Sequence, residues 1–123
     1  MEQSVVTSPE VTFTPEALEL SGGHLPWVKE ALALGLDFAA RKCVPVLRVV
    51  VTRWDSYEDP DGQEVVITYH VEWAKSLQAL GGFAGDLADY LGNWEQTTLP
   101  KRQQEFFWKC VWTRVEPAND VQP

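Results

Sequence analysis

His70 is the residue in this chain whose type and setting best suit acid–base chemistry. It lies in a run, Glu64 to Ala74, in which Val65, Ile67, Tyr69, Val71 and Trp73 alternate with Glu64, Thr68, His70 and Glu72. Period-two alternation places His70 on the polar face of a strand, two residues from Thr68 and from Glu72. A carboxylate at that spacing can orient the imidazole and raise its pKa. No nucleophile accompanies it, because Ser56 and Ser76 sit at loop or cap positions. The sequence therefore assigns no catalytic residue, and a pocket around His70 and Glu72 is the alternative reading rather than the leading one.

Two other stretches invite chemistry. Asp55 to Glu64 is acidic, but placing Gly62 on the glycine of a calcium loop puts Tyr57 at the first ligand position and Thr68 where a glutamate belongs. Gly81-Gly82-Phe83-Ala84-Gly85-Asp86 follows a strand, as phosphate loops do, yet it lacks their lysine and hydroxyl and carries an acid. Cys43, Cys110, His24 and His70 include no closely spaced pair of ligands, so neither a metal site nor a cofactor is expected. Both cysteines are expected to be reduced and packed as small apolar groups.

The aromatic content points elsewhere. Six tryptophans are present, and Trp54 projects onto the same face as Arg48, Thr52, Thr68, His70 and Glu72. Tryptophan beside arginine is the composition of an interface hot spot. That face is the expected binding surface, for a protein partner or for another copy of the chain, a homodimer being the simplest case. The net charge of −8 disfavours a phosphate backbone as ligand, although it admits a third reading, an acidic inhibitor that imitates nucleic acid. Residues 1–96 hold six basic and fifteen acidic side chains, whereas residues 97–123 hold four and three.

These residues need a sheet to hold them. Val46–Trp54 and Glu64–Ala74 read as an antiparallel hairpin, with Pro60-Asp61-Gly62 as a three-residue turn that pairs Asp59 with Gln63. In that register Val51 opposes Val71, Val49 opposes Trp73, Arg53 opposes Tyr69, and His70 lies across from Thr52. Residues 105–115 read as a third antiparallel strand, although Phe106, Phe107, Cys110 and Val111 also form a helical stripe. Val11-Thr12-Phe13 is a candidate edge strand. Thr14-Pro15-Glu16 reads as a helix start, and Ser21-Gly22-Gly23 as its stop.

Two main helices, 26–42 and 76–91, are expected to pack on one face of the sheet. The first has a narrow polar wedge at Glu30, Asp37 and Arg41; the second has a stripe through Leu77, Leu80, Ala84, Leu87 and Leu91. Gly81, Gly82 and Gly85 project away from that stripe, so either the helix starts near Phe83 or something approaches its outer side. Gly92-Asn93 reads as its end, and Trp94 to Pro100 as a loop.

The expectation is one α+β domain over residues 1–123, with 1–8 and 117–123 loosely held. Apolar residues make up 45% of the chain, and no apolar run reaches the length of a membrane span. The first residues lack the basic and apolar regions of a signal peptide, which makes a cytoplasmic location the default.

Overall fold

The computed structural model describes residues 9–55 and 62–119. Two strand–helix–helix–strand units follow one another along the chain. The first comprises β1 (Glu10–Phe13), α1 (Pro15–Ser21), a 3-10 turn (Gly22–His24), α2 (Leu25–Arg41) and β2 (Val46–Asp55); the second comprises β3 (Gln63–Val71), α3 (Leu77–Thr98), α4 (Lys101–Cys110) and β4 (Val111–Pro117). The strands form one four-stranded sheet in the order β1-β2-β3-β4. Within each unit the strands are parallel and joined by the long helical crossover that parallel neighbours need, and β2 and β3 between the units are antiparallel. The α+β class therefore holds, but the sheet is mixed, and the expectation of a purely antiparallel sheet is corrected.

The hairpin is present in a different register. Asp55 pairs with Gln63, so Val51 opposes Ile67, Val49 opposes Tyr69 and Arg53 opposes Val65. The slip from the expected pairing is four residues, an even number, and from Arg48 on each side chain keeps its predicted face; a register shift between Val46 and Arg48 turns Val46 to the core and leaves Leu47 exposed. Position 59, the expected partner of Gln63, and most of the proposed Pro60-Asp61-Gly62 turn lie outside the described residues. Arg53 bonds Asp55 Oδ1 through Nε at 3.2 Å.

One core serves all four helices. Ala17 of α1, Val28, Leu32 and Phe38 of α2, Leu80, Phe83, Leu87 and Leu91 of α3 and Phe107 of α4 join Val49, Val51, Val65, Ile67, Tyr69 and Val71 in a single cluster. These strand positions are all odd-numbered, so the cluster takes one side of the sheet. Val66 is buried too, yet it stands outside that cluster on the opposite side.

Tyr69 shows how closely sheet and helix approach. Its hydroxyl donates to the Leu32 carbonyl at 3.2 Å, and its ring lies so near α2 that a Cβ on Gly35 would collide with Oη and sit 2.5 Å from Cζ. Burial pushes the Tyr69 phenol pKa up.

The second unit departs most from the sequence reading. Residues 105–115 are a helix as far as Cys110 and a strand from Val111 on, so both patterns read in them are real but consecutive. Phe107 faces the core at the helical spacing, and Val111 and Val115 continue inward at period two. The helix placed at 76–91 runs from Leu77 to Thr98, through Gly92-Asn93. Packing of Leu91 and Leu99 in the core and of Trp94 edge-on against Phe107, with ring centroids 5.7 Å apart, carries it past that stop signal. It starts at the Ser76 cap, whose Oγ accepts from the Ala79 amide at 3.1 Å, so the glycines do not delay it. Nothing lies within 4 Å of a Cβ added at Gly81, Gly82, Gly85 or Gly92.

Two side chains tie the elements together. The His24 ring stacks on Phe106 at 3.9 Å and its Nδ1 bonds Gln103 Oε1 at 2.7 Å, fixing α4 to the 3-10 turn. Asn119 accepts from the Trp73 amide at 2.8 Å and donates to the Trp73 carbonyl at 2.9 Å. No helix among the described residues is long and apolar enough to cross a membrane.

Candidate functional site

The side of the sheet away from the helical core carries the even-numbered strand residues, except Val46, which packs on the core before the register shift at Arg48. Their registers set out cross-strand rows: Glu10, Arg48, His70 and Glu116; Thr12, Val50, Thr68 and Arg114; Thr52, Val66 and Trp112; and Trp54 beside Glu64. Five of the six predicted site residues, Arg48, Thr52, Trp54, Thr68 and His70, are brought together on this face. The sixth, Glu72, lies one residue beyond β3, exposed, with its amide donating to Pro45 O at 2.9 Å. His70 faces Arg48 and Glu116, not Thr52 as the expected register had it.

Sequence reasoning missed the contribution of β4, because that strand was expected to be antiparallel and to begin earlier. Arg114 reaches across β3 and places its guanidinium 4.8 Å from the Trp54 ring centroid. Its Nη2 also bonds Glu116 Oε2 at 2.6 Å. Beneath this bridge Val66 and Thr68 are 2% and 8% exposed, although no helix covers them. The face is thus roofed at its centre by its own long side chains. Around that roof Trp54 is 45% exposed and Trp112 53%, and Trp108, on the last turn of α4, is 80% exposed. Neither Trp108 nor Trp112 is buried in the core.

Electrostatics on the face differ from the expected raised imidazole. The His70 pKa is lowered, first by desolvation and then by Arg48, with Arg114 adding to the effect and Glu116 only partly opposing it. The carboxylate that acts on His70 is therefore Glu116. A neutral ring between an arginine and a glutamate suits hydrogen bonding better than proton transfer at neutral pH.

Beside this face, along the outer edge of β4, runs a cleft of about 670 Å³ lined by Ala88, Leu91, Glu95, Phe107, Trp108 and Thr113 among others. Burial raises the Glu95 carboxyl pKa. Among the described residues no group of three or more His, Cys, Asp and Glu side chains stands close enough to hold a metal ion. The acidic stretch read against a calcium loop falls mostly on residues 56–61, outside the described residues. Cys43 is exposed, at a left-handed backbone position with φ 59° after α2, and not packed as expected. Cys110 is half-buried, and burial with the nearby Glu64 charge pushes its thiol pKa up.

Compared with known protein families, with curated proteins and with solved structures, the chain matches none of them.

Proposed function

We propose that the chain is a non-catalytic binding module whose outer sheet face, around Trp54, His70, Arg48, Thr52 and Thr68, holds a protein partner or another copy of itself. The observation that carries this reading is the exposure of Trp54 and Trp112 on a face that none of the four helices covers. Trp54 stands against Arg114 and Trp112 lies in the neighbouring row, so exposed aromatic area is set among the charges of Arg48, Glu10, Glu64 and Glu116 on the same face. Rows of mixed charge such as Glu10, Arg48, His70 and Glu116 fix the orientation of a partner more than they add to its affinity. Phosphate backbones are poor ligands for this surface, since Glu10 and Glu116 end the Arg48 row, Glu116 pairs with Arg114, and the whole chain carries −8.

The test is affinity capture with the full chain and two pairs of surface variants. Trp54→Ala and Arg48→Ala on the sheet face should lose the captured protein or the self-association. Lys29→Ala and Glu30→Ala, on the exposed side of α2, should retain it. Equal capture by all four variants would refute the reading.

A further inference from the structure

We propose that a second copy of this chain adds along the outer edge of β4, antiparallel and centred on Thr113, joining two four-stranded sheets into one of eight. This inference rests on the self-association half of the docking reading above and sets the second copy at the β4 border of that face. Its starting point is the edge itself. Exposed strand edges template further pairing, and proteins blunt them with short strands, lysines, prolines or bulges. The other edge, β1, is only 4 residues long, whereas β4 has 7, without lysine or register shift and with Pro117 only at its last position.

The backbone restricts how a partner can add. Ala118 N–H donates to Val71 O at 2.7 Å, so Ala118 turns its polar groups towards β3. By alternation Trp112, Arg114 and Glu116 do the same, and Val111, Thr113 and Val115 turn theirs to the outer edge. A two-fold antiparallel pairing must join these outward residues. Centring it on Arg114 sets that charge against its own copy and matches Val111 with Pro117, which has no N–H. Centring it on Trp112 shortens the ladder to Val111–Thr113, because Cys110 belongs to α4.

Centring on Thr113 pairs Val111 with Val115 of the second copy on the helix side. On the outer side it pairs Trp112 with Arg114 of the second copy, and by symmetry this occurs twice. Arg114, already 4.8 Å from the Trp54 ring centroid, is then flanked by two indoles. The short run Trp112-Thr113-Arg114 is thus its own complement, which selects a second copy over an unrelated strand. The pairing is isologous and closes at two chains. Joining β4 to β1 of another copy is heterologous, and it offers a ladder limited by the 4 residues of β1.

Sedimentation equilibrium on the full chain tests the assembly, and two sets of variants test the register. Wild type is expected at twice the 13.9 kDa chain mass. Trp112→Arg, which puts arginine opposite Arg114, should halve that mass, and the exchanged variant W112R/R114W should restore it. In a C43S/C110S background, Thr113→Cys should form a disulfide dimer on mild oxidation, because directly paired residues lie about 5.5 Å apart, within disulfide range. Val115→Cys should not, since its copy would lie about 14 Å away along the strand. A wild-type monomer, a dimeric W112R, or equal cross-linking at 113 and 115 would each overturn the proposal. A monomer whose Trp54→Ala variant still loses a captured protein would overturn the second copy and leave the docking face standing. A monomer with no such loss would remove both.

Discussion

Replacing Gly35 with alanine separates the fit of α2 against the sheet from ordinary helix propensity. On propensity alone the change stabilises a helix interior by about 1 kcal/mol. Here the new Cβ would collide with Tyr69 Oη and lie 2.5 Å from Cζ and 3.0 Å from Cε2. Tyr69 is 1% exposed, in contact with the core on the odd side of β3, so the ring has nowhere to swing. Overpacking of a filled core costs about 1–3 kcal/mol. Displacing the hydroxyl from the Leu32 carbonyl leaves a buried donor unsatisfied, about 1–3 kcal/mol more. The net expectation is a loss of about 1–5 kcal/mol, read as a lower urea midpoint at unchanged slope. A Gly35→Ala protein more stable than wild type by about 1 kcal/mol would refute the close approach, since that is the value for an unobstructed helix glycine.

The outer glycines of α3 supply the opposite case: Gly81→Ala and Gly85→Ala meet nothing within 4 Å, so each should stabilise the protein by up to about 1 kcal/mol in the same urea titration. His70 should titrate below its ordinary value of 6.5. The unfolded chain then binds more protons in between, so this part of the stability is intact above about pH 6.5 and is lost as pH falls through the folded pKa. Proton NMR of the imidazole should show Arg48→Ala moving the pKa up and Glu116→Gln moving it further down; a raised wild-type value would contradict the assignment. Phe107→Ala should cost about 3–5 kcal/mol in thermal or urea unfolding, whereas Trp108→Ala, three quarters or more exposed, should leave stability nearly unchanged.

The parts of this fold set by local alternation and capping are legible in the sequence. Thr14 caps α1 through Oγ1 to the Ala17 amide at 3.2 Å, with Pro15 at the first position. The faces of β2 and β3 followed from period two, and they survived a wrong register because the slip was even. Register itself depends on the loop, and a residue pattern of period two is equally satisfied by any even slip. Parallel pairing was illegible for a related reason: β1 and β4 are edge strands whose direction is set by the helices that join them to β2 and β3, not by their own side chains. At Cys110 the periodicity changes from helical to extended within one aromatic-rich stretch, which a single assignment over 105–115 hid. The candidate face was half legible. Arg48, Trp54 and His70 lie on the hairpin, but Arg114, Glu116 and Trp112 come to it only through a long-range parallel ladder.

The most direct measurement of the central claim is photo-cross-linking in cells expressing the full chain, with a photoreactive phenylalanine analogue placed at position 54, 70 or 29. Positions 54 and 70 lie on the outer sheet face and position 29 on the exposed side of α2. The docking account predicts protein adducts from 54 and 70 and none from 29. Adducts from 29 alone, or none from 54 and 70, would contradict it.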